Sequence, residues 1–207
     1  MRQKEGIYMT HFYIVRHGET MFNVKGRIQG WCDSPLTKLG VSQAKELGKK
    51  LKNDSFDVCF CSTSERAMDT AQYILENRDV KIISSKQLKE QCFGYFEAEK
   101  SSNIFKDGIK YPEGYRFCGG ENHSDVIERV TNELKKIASE YPNANVLVVC
   151  HGSAIKHIVN ALCPGFVDEK PNTAALVPNC SVTRMDCDTE LKLIEKPHLF
   201  HGQQTLK

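Results

Sequence analysis

Long hydrophobic runs are missing from this sequence: the longest, such as residues 146–150, fall far short of the roughly 18 residues needed to span a bilayer. No membrane partner is expected. The opening stretch MRQKEGIYMTHFYIVRHG also lacks the apolar segment and small-residue cleavage site of a secretory signal, so the cytoplasm is the expected compartment. An excess of charge of one sign is missing too: 28 basic against 26 acidic residues leave +2, too little to draw nucleic acid by long-range attraction. Any anion must be bound locally. Nine cysteines occur without a C-x-x-C pair, which argues for free, mostly buried thiols and against a disulfide framework or zinc knuckle. With 40% hydrophobic and 26% charged residues and only 14 Gly and 7 Pro, disordered and collagenous classes are excluded, and 207 residues suit one domain, 1–207.

What is present is an alternation of strand and helix signals. Residues 12–15 read as a buried strand ending at Arg16, His17 and Gly18. Thr37 is placed to cap a helix whose apolar positions are Val41, Ala44, Leu47 and Leu51. Residues 56–60 form a second strand, and Ser62 with Glu65 fits a capping box before a helix with Ala67, Met68, Ala71, Ile74 and Leu75 inward. Residues 80–83 suggest a third strand. A long helix from Ser124 is closed by Tyr141 and Pro142, a strand over residues 145–150 ends at His151 and Gly152, and a further helix carries Ile155, Ile158, Val159 and Leu162. The tail, 173–196, alternates in short strand-like pieces. The expected fold is α/β: a three-layer α/β/α sandwich around a mostly parallel sheet, with one antiparallel strand from the tail. The irregular segment at about 92–118 is read as a lid.

Two strands thus run into a His-Gly pair, and in open α/β sheets ligands sit beyond the carboxyl ends of strands, so His17 and His151 would face one crevice. A single strand-end histidine is commonly structural; two, with Arg16 beside one of them, suggest chemistry. Arg66 lies in the first turn of its helix, where the macrodipole disfavours a cation unless an anion is near, although an Arg extended into solvent fits the same position. Arg16 and Arg66 are forked donors suited to phosphate oxygens, and amide donors at the helix start after His151 would add to the same pocket. A tetrahedral dianion suits the set.

Arg16-His17-Gly18-Glu19-Thr20, then Asn23, Gln29-Gly30-Trp31 and Asp33-Ser34-Pro35-Leu36-Thr37, resembles the signature opening of the histidine phosphatase superfamily. Further matches follow in order: residues 62–71 (STSERAMDTA), Leu88-Lys89-Glu90 with Phe93-Gly94 and Glu97, Gly119-Gly120-Glu121, Cys150-His151-Gly152 and, more weakly, Asn179-Cys180-Ser181-Val182-Thr183. The branch it is most similar to holds phosphoglycerate mutases, fructose-2,6-bisphosphatases and broad-specificity bacterial phosphatases. The resemblance implies that His17 is the nucleophile, that Arg16, Arg66 and His151 bind phosphoryl oxygens with help from Asn23, Gln29 and Gly30, and that Glu90 is the proton donor. On chemical grounds His17 must start neutral, with its second nitrogen held protonated, whereas His151 would serve best as imidazolium. Asn23 also fits a turn, Gln29 a loop-ordering role and Glu121 a helix cap.

The implied activity is metal-independent, cofactor-free hydrolysis of a small phosphorylated metabolite through a phosphohistidine. The alternatives are a mutase returning the phosphoryl group to a second hydroxyl, and a non-catalytic binder of phosphorylated ligands. The mutases of the family carry a longer insertion than residues 98–118, which favours hydrolysis. Other phosphotransfer chemistries miss their spacing: Cys61 and Cys59 precede Arg66 by five and seven positions rather than six, and Cys150 is followed at six by Lys156. Asp186-Cys187-Asp188 lies too late for an aspartyl phosphotransferase, and no Walker loop or His-Glu-x-x-His occurs. Residues 92–117 hold seven of the 17 Phe and Tyr residues, either as a wall beside the leaving group or as a small core of the lid. Lys100, Lys106, Lys110 and Arg116 could meet a second anion there, diluted by Glu97, Glu99, Asp107 and Glu113. Residues 1–8 read as an extra leader with Met9 as an alternative start, Glu97-Ala98 departs from the family's commoner Glu-Gly, and the oligomeric state is open, a homodimer included.

Overall fold

A computed structural model describes residues 8–105, 111–169 and 172–200. The sheet has six strands in the order β3-β2-β4-β1-β5-β6, formed by β1 (Thr10–Arg16), β2 (Val58–Ser62), β3 (Ile82–Ser85), β4 (Asn145–Cys150), β5 (Val182–Cys187) and β6 (Leu191–His198). Pairs β1/β4, β4/β2 and β2/β3 are parallel, while β1/β5 and β5/β6 are antiparallel. The tail therefore adds two antiparallel strands rather than the one expected, and the third strand sits two residues later than its sequence signal. At β3, a half-exposed edge strand, side-chain burial constrains the position weakly.

Strand periodicity builds the layers. Phe12, Ile14, Val58, Phe60, Val146 and Val148 point to one face and meet Val130, Leu134 and Ile137 of α5 (His123–Glu140) and Ile155 and Ile158 of α6 (Gly152–Leu162). Their neighbours Tyr13, Val15, Cys59, Cys61, Leu147 and Val149 point to the other face, against Ala44 and Leu47 of α2 (Lys38–Lys50) and Ala67, Ala71 and Ile74 of α3 (Glu65–Ile74). Each fully buried Val, Leu or Ile contributes about 1.5–3 kcal/mol relative to exposure. Three four-residue helices complete the set: α1 (Met21–Val24), α4 (Ser101–Ile104) and α7 (Thr173–Leu176).

Helix starts agree with the sequence at Thr37, whose hydroxyl accepts the Gly40 N–H at 3.0 Å, and differ elsewhere. Ser62 is the buried last residue of β2 and so cannot cap α3; Ser64 takes the cap position, and its N–H donates to the Ser62 hydroxyl. The long helix begins at His123, behind Asn122 in a capping box with Asp125, not at Ser124 with Glu121 as cap. Among the described residues the cysteines form no disulfide, and no helix is long and apolar enough to cross a membrane.

This topology opens a crevice between β1 and β4. Their register places Arg16 beside Cys150, so the residues that follow, His17 and His151, leave the sheet side by side. The chain after β1 leads to α2 on one face, and the chain after β4 leads to α6 on the other. Neighbouring connections that part to opposite faces leave room for a ligand between them.

Candidate active site

His17 is 3% exposed, and its N–H donates to the Cys150 carbonyl at 3.0 Å. Its Nδ1 lies 2.8 Å from the Gly18 carbonyl. A carbonyl only accepts, so Nδ1 carries the hydrogen and Nε2 keeps its lone pair. Burial first, then Arg66 and Arg16, press the His17 pKa well below the usual histidine value, which keeps the ring neutral. The Asn179 side-chain amide fixes the backbone from the far end of the chain, donating to the His17 carbonyl at 3.0 Å and to Asn23 Oδ1 at 3.2 Å.

The His151 ring stands 5.3 Å from that of His17, centroid to centroid, at an interplanar angle of 61°. It is completely buried, and neither ring nitrogen has a hydrogen-bond partner among the described residues. Arg16 Nε and Arg66 Nε are likewise buried without partners. Unpaired buried polar groups cost roughly 1–3 kcal/mol each, so these four nitrogens close to His17 are held against a substantial penalty. Against the imidazolium expected at position 151, burial first, then Arg66 and His17, hold that pKa well below its usual value.

Arg16 Nη1 and both Arg66 Nη nitrogens are anchored. Arg16 Nη1 donates to the Val177 carbonyl at 2.7 Å, and burial lowers its pKa to about 10. Arg66, completely buried in the first turn of α3, pairs with Asp33 at 2.7 Å and donates to the carbonyls of Cys32 at 3.1 Å and Gly30 at 2.8 Å. It is not extended into solvent. Asp33 entered the sequence reading only as part of the signature match, not as a partner of Arg66.

Glu90 is 5% exposed and accepts three backbone N–H groups: Ser153 on Oε2, and Ala154 and Gln91 on Oε1, each at 2.8 Å. Two of the amides expected to face an anion at the start of α6 are therefore taken by this carboxylate, a natural occupant of a helix N-terminus. A carboxylate has about four acceptor positions, so one remains beyond these three N–H groups.

Of the loop residues, Asn23 reaches the site and Gly30 does not. Asn23 Oδ1 accepts from the Thr20 N–H and from Asn179, which leaves its NH₂ group as a donor lining the cleft. Gln29 also lines it, although its amide is engaged with Thr20, Ser34 and Asp33. Gly30 is structural: its N–H donates to Glu97, its carbonyl accepts from Arg66, and a Cβ there would overlap the Gln91 carbonyl and the Glu97 carboxylate. Glu97 is no mere lid charge, since its two oxygens accept the N–H groups of Gly30, Trp31, Cys32 and Phe93 and tie the loop to the lid. Glu121 neither caps a helix nor faces the cleft but pairs with Arg129 at 2.7 Å.

The cleft has a volume of about 740 Å³, ample for a small metabolite. Arg16, His17, Asn23 and Glu90 line it, with Arg66 and His151 completely buried behind them. The lid rings do both things expected of them. Phe93, Phe96, Tyr111 and Tyr115 pack with Ile28 into a small core, and Phe93, Phe105, Tyr111 and Tyr115 also form one cleft wall. Of the lid cations, Lys100 and Arg116 are not on the cleft lining, and Arg116 pairs with Asp125 instead; Lys106 and Lys110 lie outside the described residues. The cleft has other cations, Arg27 and Lys156, that the sequence reading passed over. Among the described residues no cluster of three or more His, Cys, Asp or Glu side chains is placed to hold a metal.

The family model for the histidine phosphatase superfamily (branch 1) matches residues 12–197. The chain belongs to this superfamily. Similar superfamily members include an uncharacterised phosphatase, PhoE, of Bacillus subtilis (strain 168), 33% identical over 83% of this chain and 86% of its own. A probable phosphoglycerate mutase, GpmB, of Erwinia tasmaniensis is 28% identical over 86% and 85%. Among solved structures, a phosphoglycerate mutase from Bacillus anthracis aligns with a TM-score of 0.80 at 30% identity, covering 93% of this chain and 95% of that one. Superfamily relatives are thus both phosphatases and phosphoglycerate mutases, and the α/β fold matches theirs.

Proposed function

We propose that the chain is a phosphomonoester hydrolase that works through a phosphohistidine on His17 and needs no metal. The observation that carries this is the neutral His17 ring, its Nδ1 hydrogen tied to the Gly18 carbonyl and its Nε2 bare, amid the unpartnered nitrogens of Arg16, Arg66 and His151. Nε2 attacks phosphorus in line, the phosphorus–oxygen ester bond breaks, and the leaving oxygen takes the proton held on Glu90 Oε2. Water then attacks phosphorus, the phosphorus–nitrogen bond breaks, its proton passes to Glu90, and inorganic phosphate leaves. The guanidiniums and the neutral His151 N–H stabilise charge on the three equatorial oxygens, the part a divalent cation plays elsewhere.

The test is phosphate release from a panel of small phosphorylated metabolites, with and without chelator. Release that survives chelator and disappears in His17→Asn, together with an acid-labile phosphoryl adduct trapped on the wild-type chain alone, is expected. Strict dependence on added metal would overturn the reading. Relatives named as phosphoglycerate mutases support the second reading, phosphoryl return to another hydroxyl, which the same assay reports as an isomerised ester without free phosphate.

A further inference from the structure

The start of α2 presents Thr37, its cap, then Gly40 and Gln43 at three-residue spacing, so that one face meets the segment that follows His17. The Thr37 N–H donates to the Glu19 carbonyl at 2.9 Å, and its hydroxyl donates to Glu19 Oε1 at 2.7 Å. Gly40 lies so close that a Cβ on it would stand 2.1 Å from the Glu19 carbonyl oxygen, and a Cβ on Gly18 would stand 2.5 Å from the Gly40 carbonyl oxygen. Gln43 is buried and accepts the Glu19 N–H on Oε1 at 2.9 Å. A backbone N–H only donates, so it is the amide oxygen that faces Glu19.

That N–H belongs to the same planar amide as the Gly18 carbonyl, the group 2.8 Å from His17 Nδ1. The amide is trans, so its N–H and carbonyl point in opposite directions, and a bond at one end aims the other. The preceding amide is held at both ends as well: Asn179 donates to the His17 carbonyl, and the Gly18 N–H donates to Thr70 Oγ1, both at 3.0 Å.

We infer that Gln43 is a positioning residue that sets the tautomer of His17: by holding the Glu19 N–H away from the ring, it keeps the Gly18 carbonyl on Nδ1 and the lone pair on Nε2. The inference deepens the hydrolase reading and rests on it for its catalytic consequence. Without the acceptor, a half-turn of the Gly18–Glu19 amide exchanges an orphaned buried N–H for an orphaned carbonyl, the lesser penalty. The Glu19 N–H would then face Nδ1. Because that group only donates, Nδ1 must accept, and the ring hydrogen moves to Nε2, where it blocks attack on phosphorus.

Nitrogen-15 NMR of the resting chain, labelled at its histidine rings, reads the tautomer directly. Wild-type His17, assigned by comparison with His17→Asn, is expected to show a protonated Nδ1 and a bare Nε2. In Gln43→Met, similar in length and without the acceptor, that pattern is expected to reverse or average. Its kcat for phosphate release is expected to fall about tenfold or more with KM little changed, the correct tautomer being worth up to about 10⁴ in a hydrolase triad. Gln43→Glu keeps the oxygen and is expected to keep both the ring pattern and most of kcat. A folded Gln43→Met with the wild-type pattern overturns the inference, and Gln43→Leu is read in the same way where Gln43→Met does not fold. Loss of the pattern in Gln43→Glu as well would make the role one of packing, and a wild-type His17 with its hydrogen on Nε2 would also overturn it. The spectra need no turnover, so the expected rings in a chain that releases no phosphate would remove the hydrolase reading alone.

Discussion

Glu90 Oε2 accepts the backbone N–H of Ser153 at 2.8 Å, and this bond joins the proposed proton donor to the helix that starts beside the phosphate cradle. Glu90→Gln would turn an NH₂ group toward one of three N–H donors and remove the transferable proton. Turnover of alkyl phosphates is expected to fall by about 10² to 10⁴, and that of p-nitrophenyl phosphate much less, because its leaving group needs no proton. Equal losses on both, in parallel kinetic assays, would remove Glu90 from the acid role.

Arg129 holds Glu90 from behind. It donates to the carbonyls of Gln87, Lys89 and Glu90 at 2.7–2.9 Å and pairs with Glu121, and Trp31 Nε1 adds a bond to the same Glu90 carbonyl at 3.1 Å. Arg129 is a positioning residue. Arg129→Met is expected to lower kcat by about tenfold to a hundredfold through misplacement of the carboxylate, with KM little changed. A change confined to thermal stability would show a purely structural role.

Gly30→Ala would push a methyl group into the Gln91 carbonyl and the Glu97 carboxylate and shift the carbonyl that holds Arg66. Both the melting temperature and phosphate affinity should drop. Wild-type affinity in this variant would show that the loop does not hold Arg66.

Ala98 sits at φ 63°, in the left-handed region, where a non-glycine residue is strained by about 1–2 kcal/mol. Glycine relieves this but loses about 0.5–1 kcal/mol of chain entropy, so Ala98→Gly should stabilise the fold by up to about 1.5 kcal/mol in denaturant titration. Destabilisation would mean that the methyl group is used in packing.

His17, His151 and His157 have folded-state pKa values below the ordinary histidine value, His157 pushed down to about 2 by burial and Lys156. The unfolded chain therefore binds more protons below about pH 6.5, so stability is full above that pH and falls as pH decreases, by about 1.4 kcal/mol per pH unit for each such group. Urea midpoints at pH 7.5 and 5.5 measure this. A chain equally stable at both would contradict the neutral, buried state of these rings.

Local pattern made much of the molecule legible in advance. Short apolar runs leading into His17 and His151, and apolar faces spaced for helices around Leu47, Ile74 and Leu134, were readable because a strand covered on both faces is apolar throughout and a helix buried on one face repeats its apolar positions. Element ends were less so: Ser62 and Ser64 both satisfy a cap pattern, and only the length of β2 decides between them. Glu97 read as one of several lid charges because nothing near it in the chain shows that it meets a backbone amide 65 residues away, and Glu121 read as a helix cap because its position just before a helix does not show that it pairs with Arg129 instead.

The sequence by itself determined the layered α/β architecture and the family, and it named the side chains proposed to handle phosphate, because each is written in short-range periodicity or in contiguous residue types. The tertiary structure alone decided which polar groups stay unpaired, that burial and nearby cations lower the His151 pKa, that Glu90 occupies the start of α6, and that Lys156 faces the cleft. Hydrogen-bond satisfaction and desolvation depend on what packs around a group from every side, and those neighbours come from stretches of chain far apart in sequence.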